Sequence, residues 1–99
     1  MSTLLTELEV RWQSIFATLK AGGDVAPGLR LRTEGLMEAA VLTGESTQDA
    51  LTSAMGACYL EVYGCSIAQD FDDNWRVFFP FPQIPAMGVR APVYLRAPD

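Results

Sequence analysis

The 99-residue sequence predicts one α+β domain, with two helices packed on a small antiparallel β-sheet of three to five strands. Three observations lead there: an apolar stripe at helical spacing from Thr3 to Ala21, a second after Ser46, and a final third rich in aromatic and β-branched residues. One domain covering residues 1–99 is expected, because a chain of this length has no room for a second core.

In the first element, Leu5, Leu8, Trp12, Ile15 and Leu19 recur at spacings of three and four, and Leu4 and Phe16 widen the stripe. This is the pattern of an amphipathic helix. Ser2 or Thr3 can cap its start, Glu7 can pair with Arg11 one turn on, and Lys20 complements the carbonyl end. Gly22 and Gly23 stop it, and Gly22 to Gly28, GGDVAPG, reads as a loop.

Beyond the loop, Leu29, Leu31 and Thr33 alternate with Arg30 and Arg32, which predicts a strand with one charged face. Two readings stand for residues 34–43. Glu34-Gly35 makes a tight turn into an extended segment, or Leu36, Met37, Ala40 and Val41 form a short helix. Gly44 ends the stretch.

Ser46 followed by Asp49 has the spacing of a helix start. From there Leu51, Met55, Cys58, Tyr59 and Val62 share one helical face, supported by Ala50, Ala54 and Ala57, and Gly64 closes the element. A rival reading breaks the helix at Gly56 and makes 57–63 a strand; helix is preferred. Ser66 to Phe71 and Trp75 to Phe81 then read as a hairpin about Asp72-Asp73-Asn74, which Pro80, Pro82 and Pro85 either confine to a sheet edge or lead out into an extended loop. Val89 to Arg96 reads as a last short strand interrupted by Pro92. The expected core includes Trp12, Phe16, Leu51, Met55, Val77 and Phe78.

Composition narrows the chemistry. The chain has no histidine, which removes Ser-His-Asp and Cys-His catalysis, His-bound zinc and the usual proton shuttle. Two cysteines, Cys58 and Cys65, are too few for a structural zinc site, and on one helix they lie too far apart for a disulfide; buried free thiols are expected. Asp70, Asp72 and Asn74 fit the first positions of a calcium loop, but Trp75 and Phe81 stand where that loop needs Gly and Glu. No metal, cofactor or catalytic set is expected. Glu34, Glu38 and Glu61 are the only acid-base candidates, and solvated surface acids are the simpler account of each.

A net charge of −5 disfavours nucleic acid. No apolar run is long enough to span a membrane, and the amino terminus carries Glu7 and Glu9 with no early Lys or Arg, unlike a secretory leader. A cytoplasmic protein is expected. Its 49% hydrophobic residues and only 19% charged ones leave apolar side chains over after one small core is filled.

That surplus predicts a protein-binding or regulatory module, self-associating as a homodimer. The contact surface falls in the uncharged stretch Phe78 to Met87, FFPFPQIPAM, through Phe79, Phe81, Ile84 and Met87. The alternative is a small-ligand module or minor enzyme with a pocket between helices and sheet. There Arg30 and Arg32, projecting from one strand face, would grip an anion, and a Glu would transfer protons.

Overall fold

The computed structural model describes residues 3–85, and within them the fold is all helical. Five helices follow in order: α1 Thr3–Lys20, α2 Pro27–Leu42, α3 Gln48–Tyr63, α4 Ile67–Phe71 and α5 Trp75–Phe78. The expected α+β architecture is therefore wrong, since no strand forms among the described residues. The strand read at Val89 to Arg96 lies outside them.

The two predicted helices are present. α1 buries Leu8, Trp12, Ile15 and Phe16, four residues of the sequence stripe. Its Glu7 accepts from Arg11 at 2.8 Å, and its last residue, Lys20, donates to the carbonyl of Val62 at 2.9 Å, which ties it to the end of α3. α3 buries Leu51, Met55, Cys58 and Tyr59, so residues 57–63 are helix. Its cap is Thr47, whose hydroxyl accepts from the amide of Ala50, in place of the expected Ser46. Gly64 ends it with φ 81°, a left-handed conformation that glycine enters without a Cβ clash.

The first correction concerns residues 27–42, which form one continuous helix where a strand and an undecided segment were expected. Pro27 occupies its first turn, a position that needs no N–H and favours the fixed proline φ. A loop-breaking proline and a helix-starting proline look alike in the sequence. The alternation of Leu29, Leu31 and Thr33 spans too few residues to outweigh the helical spacing of buried Thr33, Met37 and Ala40. Leu31 faces out.

The second correction concerns the expected hairpin. Residues 67–71 form a short helix with a complete capping box: Ser66 accepts from the Gln69 amide at 3.1 Å, and the Gln69 side chain accepts from the Ser66 amide at 2.7 Å. The Asp72-Asp73-Asn74 turn is real, but it joins α4 to the single turn of α5, with Asp72 at φ 104°. Val77 and Phe78, expected in the core, are 73% and 67% exposed.

α1 lies at the centre, packed along α3 and against α2. Residues 65–85 form a cap that packs along α3 and against the middle of α2. A chain of rings joins the two parts: Phe16 to Tyr59 at 5.0 Å edge-on, Tyr59 to Phe71 at 6.2 Å, and Phe71 to Phe79 at 5.5 Å. Polar bonds add to it, with the Tyr59 hydroxyl donating to Asp70 and the Cys65 thiol donating to the same carboxylate at 3.3 Å.

The last anchor is Glu34. Only 7% exposed, it accepts from the Ile84 amide at 2.9 Å and from Arg30 at 3.0 Å through the same Oε2 oxygen. It thereby pins the end of the cap, where Ile84 and Pro85 are buried, onto α2. An unpaired buried carboxylate would be costly, so this residue sits here only because both donors do.

Candidate functional site, a cleft between the body and the cap

Where the cap meets the first turns of α3, it leaves a cleft of about 220 Å³. Met37 of α2, Met55 of α3 and Trp75 of α5 line it, and all three are almost wholly buried. The segment after α5 adds Phe79, Pro80 and Phe81. Gln48, Asp49, Thr52, Arg76 and Gln83 supply its polar groups. The arrangement mixes apolar and aromatic walls with almost as many polar side chains, so it can hold an apolar group and orient it by hydrogen bonds.

Of the residues expected at a partner surface, Phe79 and Phe81 line this cleft and Ile84 is in the core, 1% exposed. Met87 lies outside the described residues. Arg30 and Arg32 are not brought together. Two residues apart on a helix they diverge by about 200°; Arg30 pairs with Glu34, whereas Arg32 is exposed, its guanidinium beside Gly28. Neither lines the cleft.

The cation that does so is Arg76, which sequence reasoning passed over. Its guanidinium lies 5.6 Å from the centroid of the Trp75 ring, and it makes no ion pair among the described residues. Met37, Gln48, Thr52 and Met55 were equally invisible as a group, because α2 and α3 each contribute only part of the wall. A lone Arg between two acidic residues and an aromatic run was the one signal available.

The acid-base candidates do not converge. Glu34 is committed to Ile84 and Arg30, Glu61 accepts from Gln13 at 2.8 Å, and Glu38 is exposed. Asp70 and Asp72, read against a calcium pattern, accept from Tyr59, Cys65 and the Asn74 amide. Among the described residues, no three Cys, Asp or Glu side chains group to hold a metal. Neither cysteine forms a disulfide. Burial, followed by the nearby charges of Glu9 and Glu61, pushes the Cys58 thiol up from its ordinary pKa of 9.0, which keeps it protonated and poorly nucleophilic at neutral pH.

A second depression, shallower and about 420 Å³, follows the seam of α1 and α3 beside Cys58, with Leu60 in it and Glu9 and Glu61 flanking it. No described helix is long and apolar enough to cross a membrane. Compared with family models, curated proteins and solved structures, the chain shows no significant match.

Proposed function

We propose that the chain is a small cytoplasmic protein-binding module that associates with a second copy of itself through α5 and the adjoining cleft. The observation that carries this reading is the placement of Val77 and Phe78. They stand largely exposed next to Arg76 and Phe79, which line the cleft. Among the described residues four other large apolar side chains are exposed, Val10, Leu31, Leu42 and Leu60, but they occur singly along α1, α2 and α3, as on any small protein.

The size of this cleft favours a protein side chain over a small molecule as its occupant. Sites for small molecules usually enclose about 300–1,000 Å³, whereas this cleft holds about 220 Å³, enough for one inserted side chain. A slot with aromatic walls, exposed apolar residues beside it and an Arg that makes no ion pair among the described residues resembles the anchor sites at the centre of protein interfaces.

Sedimentation equilibrium of the purified chain from micromolar to millimolar concentration tests the reading. Association is expected in that range, and Phe78→Ser should shift it towards monomer without changing the far-UV circular dichroism, because Phe78 contributes little to the core. A chain that stays monomeric at millimolar concentration rules the proposal out.

A further inference from the structure

We propose that residues 79–85 are a lid on the cleft, closed in this structure, and that Glu34 is its latch. The inference deepens the reading of the cleft as a contact site, and its regulatory meaning rests on that reading. The closure itself belongs to the single chain.

Two attachments define the lid. At one end the Phe79 amide donates to the carbonyl of Trp75 at 2.9 Å and the Phe79 ring meets Phe71, which fixes the lid to α5 and α4. At the other the Ile84 amide donates to Glu34 of α2 at 2.9 Å, and Ile84 and Pro85 are buried. Between them the Gln83 amide donates to the Pro80 carbonyl at 2.8 Å, a turn internal to the lid. Pro80, Pro82 and Pro85 have no N–H, so they offer no amide to tie this stretch down, and the link to α2 falls to Ile84.

The same stretch is a wall of the cleft. Phe79, Phe81 and Gln83 line it together with Met37 of α2 and Met55 of α3. Those two methionines are nevertheless only 1% and 2% exposed, so the thioether floor is shut off from water. Glu34 stands three residues before Met37 on α2, which places latch and floor one turn apart on one helix. Breaking the bond from Ile84 to Glu34 therefore frees the wall beside the floor it covers.

One directional bond and one buried isoleucine are a small hold beside the packed interior of α1, α2 and α3, so the lid opens locally while the body stays folded. An occupant that reaches Met37 and Met55 needs the lid open, and its apparent affinity scales with the fraction of chains in that state. Glu34 is thus a positioning residue that acts on binding without touching what binds.

Methionine oxidation reads the lid directly. A dilute sample receives a pulse of hydrogen peroxide, and sulfoxide at Met37 and Met55 is measured by peptide mass spectrometry. Both should oxidise at least about tenfold more slowly than in the same chain unfolded in denaturant. Glu34→Ala should speed both by about tenfold while amides of α1 keep their protection from hydrogen exchange. Glu34→Gln retains a carbonyl acceptor and should speed them less. Ile84→Ala loosens the same attachment from the lid's side and should also speed both, which keeps the test open should Glu34→Ala fail to fold by circular dichroism.

Three results overturn the lid: oxidation of Met37 and Met55 in the unmodified chain as fast as in the unfolded one, variants whose Ile84 region exchanges faster while both methionines react no sooner, or α1 amides that accelerate in step with the methionines. None of them depends on self-association, which sedimentation equilibrium decides separately.

Discussion

The three-helix body and the cap of residues 65–85 are held by different forces. In the body, α1, α2 and α3 bury Leu8, Trp12, Ile15, Phe16, Met37, Leu51 and Met55, and each large apolar side chain removed from water contributes about 1.5–3 kcal/mol. The cap buries less. It holds on through Ile67, Trp75 and Ile84, a chain of ring contacts, and directional bonds from Tyr59 to Asp70 and from the Ile84 amide to Glu34. Apolar burial without direction makes a body that fails all at once, whereas a few specific anchors make a cap that can loosen by itself.

Three changes of decreasing effect probe that difference. Trp12→Ala empties a fully buried site at the centre of α1 and should cost about 3–5 kcal/mol, lowering the denaturant midpoint of the whole chain in one transition. A separate early transition confined to the cap would contradict the assignment of Trp12 to the body.

Glu34→Ala strands the Ile84 amide and frees Arg30, at a cost of about 1–3 kcal/mol. Its signature is local: hydrogen exchange should accelerate at Ile84 and its neighbours while amides of α1 and α3 keep their protection. Glu34→Gln retains a carbonyl acceptor and should lose less. Uniform acceleration throughout the chain would show that cap and body are one cooperative unit.

The smallest effect concerns Cys58. Its pKa is raised on folding, so the unfolded chain releases the thiol proton first as pH climbs past 9.0. The stabilising contribution is complete below that pH and is lost as pH rises through the higher folded value. Thermal melts between about pH 8 and pH 10 should therefore fall more for the unmodified chain than for Cys58→Ala, and equal slopes would contradict the burial argument.

The same division explains what could be read from the residues. α1 was legible because eighteen residues carry one unbroken stripe, and α3 because an alanine-rich face ends at a glycine free to turn left-handed. α2 was obscured by Pro27, which starts a helix as readily as it breaks one. In the cap, the β-propensity of Trp75, Val77, Phe78 and Phe79 outvoted a signal that was present all along, Ser66 followed at the right distance by Gln69. Propensity there lost to caps and to packing against the body. Of the candidate site, the aromatic stretch containing Phe79 and Phe81 was legible, since uncharged rings must meet something. The rest was not, because Met37, Gln48, Thr52 and Arg76 become neighbours only once α2, α3 and α5 have docked.

The chain's two tryptophans fall one on each side of this division. Trp12 is sealed inside the body, while Trp75 stands in the cap beneath the guanidinium of Arg76. The molecule thus carries its own pair of fluorophores, and exchanging either for phenylalanine leaves an emission spectrum that follows a single region. Light from Trp75 alone would redden when the cap lifts, and a further change on raising the concentration would report the proposed pairing, without attaching any label.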